Sequence, residues 1–181
     1  MLGEAQEKWL AQDLKSGTAR WNLLAQQVMV MPLDRRTEDT GPHLRNLDSW
    51  GGYDAARERL LGTLDGLGNA VVLTGDEHQN FAGVLRRDAG QGKPVAVECV
   101  ISSISSGGDR WIKPADAAAI RRNNPFLAYS SDRRGYAVCE VGRDLWQTQF
   151  RGVDKVTAPG SPIETLATAS VERGRPAINL S

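Results

Sequence analysis

The segment AVVLT, residues 70–74, constrains the fold more than any other feature, because it is an uninterrupted β-rich run without a charge. It follows the segment GYDAARERLLGTLDGLG, residues 52–68, whose leucines recur at the period of a helix. A helix that leads into a continuous apolar strand is typical of an α/β unit, in which the strand is covered on both faces. The sequence therefore predicts an α/β fold with this strand buried in its sheet.

The remaining segments fit the same fold class. Residues 3–15 have a helical period that stops at a glycine, and residues 20–32 contain a buried strand that closes on a proline. About 20 polar residues between 33 and 52 have no period, and loops of that length are often functional. Short β-rich segments follow residue 78, and the segment 113–125 between them predicts a short helix.

The composition excludes several classes of partner. Lys and Arg number 22 and so do Asp and Glu, so no net charge would recruit nucleic acid. No stretch approaches the ~20 consecutive apolar residues that a membrane span needs. The opening MLGEAQEKWL has neither a basic nor an apolar leader region, so it predicts no signal peptide. Cys99 and Cys139 lie in apolar segments, as plain buried thiols do.

Chemistry-bearing side chains follow the strand 70–74 directly. In α/β sheets, ligands bind beyond the carboxyl ends of the strands, and Gly75, Asp76 and His78 stand there. Asp76 and His78 occupy alternate residues, so in an extended segment both side chains would point the same way. A carboxylate with an imidazole suits zinc, iron or manganese. The three-residue pattern also fits a turn-capping aspartate beside a surface histidine, and the residues alone leave both readings open.

Six segments, taken in chain order, share their residues with one known family. They are MLGEAQEKWLAQDLKSGTARWNLLAQQVMVMPL, DSWGGYDAARERLL, LTGDEHQNFAGVL, SSISSGG, NNPFLAYSSDRRGYAVCEV and WQTQFRGV. In this ordered set the chain resembles the PhoD-like alkaline phosphatases, a branch of the metallophosphoesterases. The resemblance covers residues 1–155, as the C-terminal part of that domain, and residues 156–181 are expected to be a poorly ordered tail.

The resemblance implies a fold and an activity. The fold would be the C-terminal half of a four-layer α/β/β/α sandwich, and the activity would be hydrolysis of phosphate esters at a centre of iron and calcium. Asp76 and His78 match two metal ligands of the family, whereas Glu77 between them is expected to face solvent. The family's other ligands precede the helix at which this chain begins, so the site is expected to be incomplete here. The resemblance also implies an exported, periplasmic or extracellular location.

Two interpretations follow from an incomplete site. In the first, the chain acts as a metal-dependent phosphatase together with the N-terminal half of the family domain, and the isolated chain is inactive. In the second, it is a non-catalytic remnant or partner subunit that acts by binding. Neither interpretation predicts a nucleic-acid or membrane partner.

Other polar or aromatic residues are weaker candidates. His43, in the long polar loop, is a weak candidate for a general acid, and a solvated loop histidine is the alternative. Trp50 and Tyr53 would wall a substrate pocket or anchor the core. Gln26 and Gln27 would line the site or bond between strands. The serines of segment 102–108 would hold phosphate or form a turn. The remaining candidates are Arg121 and Arg122. They would contact an anionic substrate or form a solvated helix end.

Overall fold

The computed structural model describes residues 1–38, 40–88, 91–110 and 112–181. The helices are α1 (Glu4–Ser16), α2 (Asp54–Leu64) and α3 (Pro114–Asn123), with a 3-10 turn at Trp50–Gly52. The strands are β1 (Asn22–Ala25), β2 (Ala70–Thr74), β3 (Asn80–Arg86), β4 (Pro94–Val100), β5 (Leu127–Ser131), β6 (Gly135–Val141), β7 (Leu145–Val153), β8 (Ile163–Glu172) and β9 (Asn179–Leu180). None of the helices in these ranges has the length and apolar character needed to cross a bilayer.

The first sheet is mixed and has the strand order β1-β2-β4-β3-β5. Strands β1, β2 and β4 are parallel, whereas β3 is antiparallel to both β4 and β5. Strand β2 lies inside this sheet, and its Val71 and Val72 are completely buried. The prediction of a buried strand at residues 70–74 is confirmed, as are the predictions of the three helices.

The second sheet is antiparallel, with the order β6-β7-β8-β9, and it packs on one face of the first sheet. Trp146 and Phe150 of β7 fill the space between the sheets. The other face of the first sheet is covered by helices, whose Leu60, Leu61 and Leu64 share a core with Val72. The protein is therefore a mixed α/β fold with a layer of helices and two sheets, and the predicted four-layer arrangement stays a prediction.

The expectation of a poorly ordered tail over residues 156–181 is wrong for β8. This strand pairs along the whole of β7, and its Ala169 and Val171 are buried between the sheets. Burial alternates only near the end of the segment IETLATASVE, where Ala169 and Val171 are buried, whereas its first three residues are exposed. The nearby Pro, Ser and Gly residues are typical of a loop and conceal this strand in the sequence.

Four strand ends meet at one edge of the first sheet. Thr74 of β2 is in register with Val100 of β4, and Val100 is in register with Phe81 of β3. Asn80, at the start of β3, pairs with Ser131 at the end of β5. The loops that leave these ends are therefore neighbours, and they carry Asp76 and His78.

Candidate functional site

Asp76 and His78 lie immediately beyond β2, and both residues are exposed. The expectation of an extended segment is wrong, because their φ angles are 66° and 53°. The chain turns tightly there: the Gly75 amide donates to the Gln27 carbonyl at 3.1 Å, and the Glu77 amide donates to the Gly75 carbonyl at 2.8 Å. Aspartate and histidine enter the left-handed region more readily than most residues, at a conformational cost that is often found at functional sites.

The His78 residue is held from two directions. Its Nε2 lies 3.5 Å from Ser106 Oγ, in the loop after β4, and its carbonyl oxygen accepts a hydrogen bond from the Arg134 guanidinium. The backbone of His78 is therefore fixed by a buried cation, while its imidazole remains open to solvent. This arrangement presents the ring at the sheet edge without burying it.

Arg134 is the residue that joins the loops of this edge. Only 4% of it is exposed. Its Nε donates to the Ser106 carbonyl at 2.9 Å and its Nη2 to the Gly107 carbonyl at 2.8 Å. Its Nη1 donates to the carbonyls of Asp132, at 3.2 Å, and His78. One guanidinium thus binds three loops. The sequence does not predict this role, since its only signal is an arginine directly before a β-rich segment.

Glu77 was expected to face solvent, and that expectation is wrong. Its side chain is only 5% exposed and forms an ion pair with Arg35. Its Oε1 also accepts a hydrogen bond from Asn46 Nδ2 at 3.2 Å. Both partners belong to the long polar loop, so Glu77 fastens that loop to the end of β2.

Glu98 is a second buried carboxylate near the strand ends, and it was not among the residues predicted from the sequence. It is completely buried on β4. Its oxygens accept the amides of Val30 at 2.8 Å and Met31 at 2.7 Å, together with the Thr74 hydroxyl at 2.9 Å. Burial raises the pKa of Glu98 from its ordinary 4.5 to about 7, even though these donors favour the ionised form. The carboxylate thus holds the segment after β1 against the end of β2.

This pKa predicts how the stability depends on pH. The folded protein holds the Glu98 proton more tightly than the unfolded chain, so the resulting stabilisation is complete below pH 4.5 and is lost as the pH rises through about 7. We expect the free energy of unfolding to fall by on the order of 3 kcal/mol across this interval. Urea unfolding of wild type and Glu98→Gln at pH 4.5 and 7.5 measures it. Parallel pH profiles of the two proteins would contradict the assignment.

His43 contacts a structural carboxylate. Its Nδ1 lies 2.7 Å from Asp34 Oδ2, and its own side chain is 63% exposed. Burial opposes ionisation of Asp34, yet hydrogen bonds from Arg36 and His43 hold the pKa of Asp34 well below its usual range. No hydrogen bond between described residues joins His43 to Asp76 or to the His78 ring. Its role as a general acid stays a prediction.

Trp50 is a core residue, as one of the two sequence interpretations predicted. It is 4% exposed, and its Nε1 donates to Gln26 Oε1 at 2.8 Å. Tyr53 is 48% exposed. In the serine-rich segment, the hydroxyls of Ser102 and Ser103 are buried without a hydrogen-bond partner among the described residues. Their proposed role in holding phosphate stays a prediction.

The donor set at the strand end fits part of a metal site. A carboxylate and an imidazole are suitable ligands, but the described residues contain no group of three or more His, Cys, Asp or Glu that could hold a metal ion. Cys99 is enclosed between the two sheets, where burial raises the pKa of its thiol to about 12. It is therefore a core residue, as the sequence predicted. Asp76 and His78 as ligands stay a prediction.

Comparison with known proteins identifies the family of this chain. A family model for PhoD-like phosphatase matches residues 1–150. Alkaline phosphatase D of Bacillus subtilis (strain 168) is 39% identical over 172 residues, which are 93% of this chain and 29% of that protein. A solved structure titled "Structure of PhoD" superposes with a TM-score of 0.90 at 36% identity, covering 99% of this chain and 35% of that one. The chain spans roughly a third of these relatives' length, and it belongs to the PhoD-like phosphatase family.

Proposed function

We propose that this chain takes part in the metal-dependent hydrolysis of phosphate esters, with Asp76 and His78 as metal ligands. The observation that carries the proposal is the place of these two residues. They are exposed at the end of the buried strand β2, on a turn with left-handed backbone angles, within the segment that matches the family. The name alkaline phosphatase D of the Bacillus relative agrees with this reaction.

Iron and calcium are the metals that the family resemblance implies. Bound metal ions supply Lewis acidity and lower the pKa of a coordinated water. This chain would supply two of the ligands, Asp76 and His78. Arg134 fixes the backbone of His78 through its carbonyl, and Ser106 lies beside the imidazole. Residues that contact a metal ligand in this way orient the ligand, and their removal commonly lowers the metal affinity by about 10- to 100-fold.

Two ligands are too few for a catalytic centre. Catalytic metal sites generally use about three protein ligands and leave a further position open for water or substrate. The remaining ligands would come from the N-terminal half of the family domain, which we propose as the partner of this chain. The isolated chain would then have no more than trace phosphatase activity. An extracytoplasmic location, which the resemblance implies, is part of the same proposal.

The test is turnover by the reconstituted site. We expect the chain alone, supplied with iron and calcium, to hydrolyse 4-nitrophenyl phosphate and bis(4-nitrophenyl) phosphate at no more than trace rates. Addition of the N-terminal part of the Bacillus relative should restore turnover. Asp76→Ala or His78→Ala should then lower it by about 100-fold or more, because each removes a direct ligand.

The matched control is Asp48→Ala, which removes an exposed carboxylate from the polar loop. It should leave turnover unchanged. Robust metal-dependent turnover by the chain alone would show that it contains further ligands. Absence of turnover after addition of the N-terminal part would instead favour a partner that acts by binding.

A further inference from the structure

The turn after β2 has one inward side chain between two outward ones. Asp76 and His78 are exposed, whereas the side chain of Glu77 is only 5% exposed. Such alternation is the rule in an extended strand. The backbone here is not extended, because the φ angles of Asp76 and His78 are 66° and 53°. A contact from outside the turn must therefore keep the two candidate ligands on the solvent side.

The Glu77 carboxylate makes that contact in the middle of the turn. Left-handed backbone is unfavourable for residues with a Cβ atom and persists where the surrounding structure fixes it. Hydrogen bonds hold the two ends of the turn, at the Gly75 amide and at the His78 carbonyl. Between these ends, the Glu77 carboxylate pairs with Arg35 and accepts from Asn46 Nδ2 at 3.2 Å. The turn is thus fixed at its centre as well as at its ends.

Arg35 makes this ion pair from a segment that is itself held in place. The amide of Asp34 donates to Asn124 Oδ1 at 2.8 Å, and Asn124 Nδ2 donates to the Asp34 carbonyl at 2.7 Å. On the other side of Arg35, Asn123 Nδ2 donates to the Arg36 carbonyl at 2.9 Å. Both asparagines lie at the C-terminal end of helix α3. The helix therefore fixes the backbone on either side of Arg35.

The enclosure of this ion pair distinguishes it from the ion pairs of the surface. Exposed pairs restrain the backbone little, because both side chains stay mobile and water competes for them. Here the side chains of Glu77 and Arg35 are 5% and 24% exposed. Removal of either partner would leave the other charge in a largely enclosed place, so the turn would have to rearrange to hydrate it.

We infer that Glu77 and Arg35 are positioning residues for the two metal ligands of the proposed function. Arg35 holds the Glu77 carboxylate inward, and this inward side chain keeps Asp76 and His78 on the solvent side of the turn. Neither positioning residue touches the metal ion. The effect on metal binding rests on the proposed function, whereas control of the turn by the ion pair does not.

The first part of the experiment compares the ¹⁵N-labelled, metal-free chain with its Glu77→Ala and Arg35→Ala variants. A residue with left-handed backbone gives a strong nuclear Overhauser effect between its own amide and Hα protons. We expect this signal to weaken at Asp76 and His78 in both variants. Amide hydrogen exchange in residues 76–79 should become about 10-fold faster or more, because the turn opens locally. Arg35→Lys, which keeps the cation, should restore most of the wild-type behaviour.

The second part is a titration of the same samples with Mn²⁺, which carboxylate and imidazole groups bind. Paramagnetic broadening of the amides of residues 75–79 gives the dissociation constant. Glu77→Ala and Arg35→Ala should weaken binding by about 10- to 100-fold, as loss of a residue that orients a ligand commonly does. The matched control is Glu7→Ala, which removes a carboxylate that pairs with Arg59 at 2.5 Å and should change neither the turn nor Mn²⁺ binding.

Wild-type Overhauser signals at Asp76 and His78 in both alanine variants would overturn the inference, even if the variants are less stable. An unchanged dissociation constant for Mn²⁺ in these variants would overturn it as well. Absence of broadening in the wild type would instead overturn the ligand assignment of the proposed function, and the metal-free signals would then decide the inference. Arg35→Ala provides the test if Glu77→Ala fails to fold, because Arg35 lies outside the turn.

Discussion

Replacing Arg134 by alanine is expected to lower the free energy of unfolding by about 3–4 kcal/mol, because four partly buried backbone carbonyls lose a charged donor at once. The guanidinium donates to the carbonyls of His78, Ser106, Gly107 and Asp132, which belong to three separate loops. With alanine at this position those carbonyls would be left without a donor or exposed to water. The loop that carries Asp76 and His78 should then open locally.

Urea unfolding measures the global effect, and amide hydrogen exchange in residues 76–79 and 104–108 measures the local one. The matched control is Arg151→Ala, which removes a guanidinium from β7 that donates to the hydroxyl of Thr165. It should cost less than about 1 kcal/mol, because its site is exposed and a single bond is lost. Equal losses in the two variants, with unchanged exchange near His78, would show that Arg134 does not hold the loops.

The helices and β2 could be predicted from the sequence because their signals are local. The helical period of residues 54–64 and the continuous apolar run of residues 70–74 reflect burial on one face or on both. Strand β8 could not be predicted, because it has no such local signal in the sequence. Its buried residues are Ala169 and Val171, which pack with the larger Trp146 and Phe150 of β7 between the sheets.

The contacts that build the candidate site could not be predicted, because each joins segments that are far apart in the chain. Glu98 binds amides 67 and 68 residues away, and Arg134 binds the carbonyl of His78 at a separation of 56 residues. No period in the sequence specifies such a partner. A charged residue inside an apolar strand, as Glu98 is in AVECVI, is nevertheless a usable signal, since a buried carboxylate requires donors.

The geometry of the predicted ligands also depends on a contact that the sequence does not specify. Alternate positions favour a common direction only in extended chain, and the turn at Gly75 depends on the Gln27 carbonyl from the segment after β1. The location of Asp76 and His78 at the end of a buried strand could thus be predicted from the sequence. The left-handed backbone of Asp76 and His78 depends on tertiary contacts and could not.

Gly135 provides a second large effect, at the start of β6. Its φ angle is not positive, so alanine could adopt the same backbone. A Cβ atom there would nevertheless overlap the carbonyl oxygen of Arg151 and lie 2.8 Å from the Cα of Gly152, which is its partner on β7. The clash involves backbone atoms of a central strand, which cannot rotate away as a flexible side chain can.

We expect Gly135→Ala to lower the free energy of unfolding by about 3 kcal/mol, because β6 must move away from β7 to admit the methyl group. The displacement should also weaken the hydrogen bond from the Gly135 amide to the Ser103 carbonyl, which is 3.0 Å long, and disturb Arg134 next to it. The control is Gly62→Ala, because a Cβ there meets only Arg87 Cζ at 3.9 Å. Alanine inside a helix should stabilise by up to about 1 kcal/mol. Urea unfolding of both variants decides the matter: a Gly135→Ala protein as stable as wild type would mean that β6 and β7 separate at little cost.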